Sequence, residues 1–198
     1  LKNYFYPREK SLEAKDLTEL SGYLLDKSYG HLAPADEYLR NYIEDVSDLL
    51  NRAYLADPQN PEAQYNLGRY FYTIGNSVSA EQWLATAIKS FSKLEKISKK
   101  LFYKHIDTHR LLGEVYSSQE EYLKAEEILS QAISEFEREE KYSGLPGNQI
   151  IGKTYSALAD IDYFISGNLD AALLNYHSAI KYGNETPSAF WTPERKIF

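Results

Sequence analysis

Apolar residues recur at three- and four-residue steps through most of the chain. Pro is confined to the edges of these runs, and no segment alternates as a strand does. Segment 11–29 carries Leu12, Leu17, Leu20, Leu24 and Leu25 on this spacing, and segment 35–56 carries Leu39, Ile43, Val46, Leu49, Leu50 and Ala53. The second run stops at Ala56-Asp57-Pro58. Asn60-Pro61 then opens the next helix with a cap residue followed by Pro at the first helical position, where its missing N–H is not needed. Gly75-Asn76 breaks that helix, Ser118 and Glu121 have the spacing of a capping box, and Gly167-Asn168 marks another tight turn. Helices joined by short turns, pair after pair, predict an all-α chain built as a bundle or a solenoid.

Internal comparison favours the solenoid. Leu67-Gly68-x-x-Phe71 is followed by Ala80-x-x-x-Leu84-x-x-Ala87. The same string returns as Leu112-Gly113-x-x-Tyr116 followed by Ala125-x-x-x-Leu129-x-x-Ala132, with the Gly-to-Ala separation 12 in both. A third copy keeps Ala172-x-x-x-Tyr176-x-x-Ala179, and upstream Val46-x-x-x-Leu50-x-x-Ala53 lies 34 residues before the Ala80 stripe. The small residues let two helices approach closely, and the large ones fill the space between pairs.

This pattern resembles the tetratricopeptide repeat, a helix–turn–helix unit of 34 residues whose copies bury their apolar faces only by stacking. The resemblance implies an α-solenoid of antiparallel helix pairs wound as a right-handed superhelix. Its expected organisation is an N-terminal extension over 1–10, a helical hairpin or degenerate repeat over 11–58, repeats over 59–103, 104–148 and 149–186, and a tail or interrupted next helix over 187–198. The Gly68-to-Gly113 period is 45, and the 11 extra residues, free of Gly and Pro over Ser90–Lys100, predict one long helix from about 78 to 98–100. Ser143–Asn148 reads as a loop. In the third copy Tyr155 and Leu158-Ala159 fit the start of the signature, but Tyr163 fits its end only after a slip of one residue. Phe190-Trp191 resembles the start of a further repeat, interrupted by Pro193.

Composition narrows the function classes. The 198 residues include 18 Tyr, 8 Phe and 2 Trp, no Cys and no Met, with a net charge of −7. The acidic balance argues against non-specific binding to nucleic acid or to an anionic membrane, and no apolar run is long enough for direct membrane insertion. Absence of Cys removes disulfides and thiolate metal sites and leans towards a bacterial extracytoplasmic address. Absence of Met even at position 1 reads as a processed or excised piece of a longer protein.

Candidate chemistry is sparse. There is no nucleophile elbow, no phosphate-cradling loop and no Ser/His/Asp constellation, so no enzyme and no cofactor are expected. His105 and His109 in the string HIDTH have chelating spacing, but Ile106 stands where a zinc protease carries Glu and no second His cluster supplies a third ligand. The pair reads as packing, with no metal site. Lys89, Lys93, Lys96 and Lys100 follow one face of the expected long helix, a solvated stripe, and residues 119–141 are strongly acidic. Asn184-Glu185-Thr186 is a formal glycosylation sequon with Pro187 directly after it.

The resemblance implies that a partner peptide or helix is held on the inner wall formed by the first helix of each pair. On the first full copy that wall carries Tyr65, Arg69 and Tyr72; on the second it carries Arg110, Glu114 and Ser117. Tyr and Arg are the residue types that dominate binding hot spots. The expected function is therefore a non-catalytic protein–protein interaction module within a scaffold or adaptor. The alternative is a structural subunit of a bacterial envelope, secretion or motility assembly that uses outer faces and ends, with self-association left open.

Overall fold

A computed structural model describes residues 14–28, 37–139 and 144–183. The expected extension over 1–10, the sequon at Asn184 and the 187–198 segment lie outside them. The described residues are all-α, arranged as consecutive antiparallel helix pairs: α1 (Ala14–Ser28), α2 (Glu37–Ala56), α3 (Pro61–Thr73), α4 (Ser77–Phe91), α5 (Lys99–Ser118), α6 (Tyr122–Arg138), α7 (Leu145–Ile161), a π-helical turn (Asp162–Ser166) and α8 (Leu169–Gly183). No described helix is long and apolar enough to cross a membrane. The chain divides into two compact units, residues 1–97 and 98–198, each holding two helix pairs.

In the first unit α1 and α2 form a hairpin on which α3 and α4 pack. Leu25, Val46, Leu50, Leu67 and Tyr70 make one buried cluster, and Leu17, Leu49, Ala53 and Ala63 make a second. In the second unit Ala125, Leu129 and Ile161 form the centre between α6 and α7, with Tyr116, Tyr122, Ala157 and Leu158 against it. The repeated small and large positions are therefore core positions. Val46, Ala80, Ala125 and Ala172 are all buried, as are Leu50, Leu84 and Leu129. A Cβ on Gly68 would stand 2.6 Å from Leu84 Cδ2, and one on Gly113 2.6 Å from Leu129 Cδ2, so both glycines serve close approach.

The helix ends follow local chemistry. Asn60 Oδ1 accepts from the Glu62 and Ala63 amides, and Asn76 Oδ1 accepts from the Ser79 amide, satisfying donors that the helix start leaves open. Three of the described turns, each within a helix pair, share a left-handed residue. Gly75, Glu120 and Gly167 adopt left-handed backbone with φ of 77°, 63° and 64°, and each stands five residues before its Ala80, Ala125 or Ala172. The middle copy places Glu where the other two place Gly.

Several boundaries differ from the sequence expectation. The long helix ends at Phe91, and a new one begins at Lys99 after Ser98, whose Oγ accepts from the Leu101 amide. The extra length instead goes partly to α5, which has 20 residues where α3 has 13. The lysine stripe is consequently not a helical face, because Lys93 and Lys96 fall in the connection. Ser118 is no cap either: its hydroxyl donates to the Val115 carbonyl at 2.7 Å, and Glu121, at the cap position, makes no side-chain cap bond. The expected loop over 143–148 gives way to helix from Leu145, since Pro146 lies in the first turn of α7.

The one-residue slip in the third copy has a structural cause. The turn amide of Asn76 donates to Phe71 and that of Glu121 to Tyr116, five residues back. In the third copy Asn168 reaches six residues back, to Asp162. The π-helical turn over Asp162–Ser166 absorbs the additional residue. Within it Tyr163 is 37 % exposed, and its ring meets that of Phe164 edge to face.

Candidate functional site

The expected binding wall falls in two sets, one per unit. In the first unit Tyr65 is buried at 4 % exposure, and the Arg69 guanidinium carbon lies 5.4 Å from its ring centroid. Arg69 Nη2 also meets Asp26 Oδ1 on α1 at 2.7 Å, with the arginine side chain only 12 % exposed. Tyr72, one turn further along α3, is half-buried. The structure thus brings Tyr65 and Arg69 together and ties them to α1, an arrangement that no local spacing signals because Asp26 is distant in sequence.

In the second unit Arg110 is held along its own helix. Its Nε donates to Asp107 Oδ1 at 2.7 Å and its Nη1 to Glu114 Oε1 at 2.6 Å, leaving the side chain 9 % exposed. Ser117 Oγ donates to the Gly113 carbonyl at 3.0 Å. Glu114 and Ser117 are half-buried. The i+3 and i+4 acids around Arg110 were available in the sequence as a helix-face pattern.

A second constellation sits between α5 and α6. His105 Nε2 and Glu135 Oε2 are 3.0 Å apart, and the His105 and His109 rings meet edge to face with centroids 4.6 Å apart. His109 is fully buried. Its Nδ1 lies 3.0 Å from the His105 carbonyl oxygen, which can only accept, so Nδ1 carries the proton and Nε2 the lone pair. That Nε2 is buried with no hydrogen-bond partner. Burial and the neighbouring His105 lower the His109 pKa to about 4, so the ring is neutral at pH 7. Burial pushes Glu135 up, but hydrogen bonds from His105 and Gln131 and the nearby imidazoles outweigh it and hold the carboxyl at about 2. Sequence reasoning paired the two histidines and missed Glu135, 26 residues beyond His109 and brought back by the α5–α6 turn.

A third feature is apolar surface at the last helix pair. Leu173 and Leu174 on α8 are 60 % and 69 % exposed, and Leu169 with Phe164 and Ile165 of the π-helical turn is exposed beside them in sequence. The preceding repeat shows what usually happens at this slot. Tyr122, 47 residues before Leu169, packs against the cluster that Ala157 and Leu158 of the following pair complete. Ile133, 47 residues before the exposed Ile180, is buried. The Tyr122 slot, which residues of the following pair help to cover, is open at Leu169. Among known proteins, no family model matches the chain and no curated protein matches it.

Proposed function

We propose that the chain is a non-catalytic protein–protein interaction module of the tetratricopeptide type, part of a larger scaffold or adaptor, that takes up an amphipathic helix of a partner protein. The observation that carries this reading is the exposed apolar set Phe164, Ile165, Leu169, Leu173 and Leu174. A concentration of exposed large apolar side chains of this kind marks interaction sites. The occupant follows from the one matching slot with an apolar cover: Tyr122, in the position of Leu169, packs in a cluster with Ala157, Leu158 and Ile161 of the next helix, so a helix with an apolar stripe fits. On the first-helix walls the same module offers Tyr72 in one unit and Glu114 and Ser117 in the other.

The test places a photo-cross-linkable residue at Leu173 in the full-length protein in its native cell, with Leu123, an exposed leucine of α6, as the control. The expected result is one adduct from position 173, absent from 123, mapping to an amphipathic helix of another protein and lost in L169S/L174S. Equal labelling at both positions overturns the reading. An adduct to a second copy of this chain replaces the adaptor with a self-assembling structural subunit.

A further inference from the structure

We propose that His105, His109 and Glu135 form a binding site for a divalent transition-metal ion, zinc in the first place, that clasps α5 to α6 within the second unit. One ligand atom from each of the three side chains lies within 4.8 Å of the other two. A tetrahedral zinc with bonds of about 2.0–2.2 Å holds its ligand atoms roughly 3.3 Å apart. The His105–Glu135 pair, at 3.0 Å, is already that close. The remaining separations are at most 4.8 Å, so they must close by no more than about 1.5 Å.

The donor set selects the metal class. Two neutral imidazoles and one carboxylate suit zinc and its first-row neighbours, whereas calcium and magnesium demand oxygen ligands. The supporting shell is in place. The His105 carbonyl fixes the His109 tautomer that leaves Nε2 as donor, and Gln131 Nε2 donates to Glu135 Oε1 at 2.9 Å, orienting the carboxylate. A buried imidazole nitrogen without a hydrogen-bond partner is a standing cost in the metal-free protein, and an ion removes it. At His105 the ion takes the place of the Nε2 proton, which moves to Nδ1 and leaves the ring neutral. The fourth position is left for water. The His105 and Glu135 side chains are 12 % and 21 % exposed, which gives the ion a way in. His109 is sealed, so the role of the ion is to fasten two helices.

The experiment uses the whole chain, stripped with chelator and titrated with zinc chloride by calorimetry and by thermal unfolding. The expected result is one zinc per chain and a rise in Tm of about 5–10 °C with free zinc about 100-fold above Kd. Glu135→Gln and His105→Asn should each weaken zinc by at least about 100-fold while keeping the helical circular dichroism of the metal-free chain. His177→Asn, at an exposed histidine of α8, should bind as the parent does. These variants spare the sealed His109, so the test does not hang on its folding role. Binding below one equivalent, or zinc affinity and Tm response unchanged in Glu135→Gln and His105→Asn, overturns the proposal.

Discussion

Replacing Gly113 or Gly68 by Ala sets two effects of opposite sign against each other. Ala is the better helix former by about 0.8–1.0 kcal/mol, so propensity alone predicts a gain. Packing predicts a loss. At Gly113 the new Cβ would stand 2.6 Å from both Leu129 Cδ2 and Cγ, and 3.2 Å from Ile128 Cγ2. Apolar carbons rest at about 3.5–4.0 Å, so the helices must part by roughly 1 Å or Leu129 must leave its rotamer. Leu129 is fully buried with nowhere to turn. Overpacking of this order costs about 1–3 kcal/mol, and the net is a loss of about 1 kcal/mol. Gly68 should lose more, towards about 2 kcal/mol, because its third neighbour is the Leu84 backbone nitrogen at 3.2 Å, which no rotamer moves. Urea unfolding followed by circular dichroism reads the effect, with Gly183→Ala as the reference, since nothing lies within 4 Å of a Cβ there. A coupling above about 0.5 kcal/mol between Gly113→Ala and Leu129→Ala would tie the loss to this contact. If Gly68→Ala and Gly113→Ala raise the urea midpoint as the reference does, close helix approach is not what these glycines provide.

The turn shared by three pairs predicts that Glu120→Gly stabilises the chain by about 0.5–1 kcal/mol, since a left-handed non-glycine residue costs about 1–2 kcal/mol and Gly returns part of this in unfolded-state freedom. A midpoint equal to or below that of the parent would show that the Glu120 backbone is not strained. Acid should weaken the metal-free protein: His109 has a folded pKa of about 4 against 6.5 unfolded, so between those values the unfolded chain binds the extra proton and stability falls with pH, by up to about 3 kcal/mol. Glu135, held at about 2, adds a loss in the same direction below about 4.5; His105 and Glu135 face His109, and a urea midpoint unchanged from pH 7 to pH 4 in chelator would refute the assignment.

Most of the fold was legible because it rests on residues whose meaning is local. Asn60-Pro61 caps a helix wherever it stands, and the Gly68/Ala80 and Gly113/Ala125 spacing reports close approach whatever surrounds it. The failures came where two local readings compete. Ser90–Lys100 has no Gly or Pro, so nothing in its periodicity marks the break after Phe91, and only the Ser98 side chain capping Leu101 decides it. Glu120 hid a turn because sequence offers no sign that a glutamate will take a conformation normally left to glycine. Conversely, the register slip before Tyr163 was visible as an arithmetic mismatch of one residue, and a π-helical turn is the structural form such a mismatch takes.

The sites were less legible because they are made by pairs far apart in sequence. Periodicity can place Tyr65, Arg69 and Tyr72 on one stripe, but it cannot show that Asp26 of another helix pairs with Arg69. Arg110 shows the same limit from the other side: its acids were in view at positions 107 and 114, yet they recruit the guanidinium for the helix itself. The histidines invert the lesson. Spacing places His105 and His109 on one helix face, and their rings do meet edge to face. The carboxylate of the proposed site lies on the antiparallel partner helix, where the α5–α6 turn folds residue 135 back beside residue 105. Any i, i+4 histidine pair on the first helix of such a hairpin can acquire its third ligand this way, from a position set by turn geometry and not by motif. The strained turn at Glu120 and the ligand set at Glu135 are therefore linked, because the same hairpin that needs the left-handed residue is the one that delivers the carboxylate.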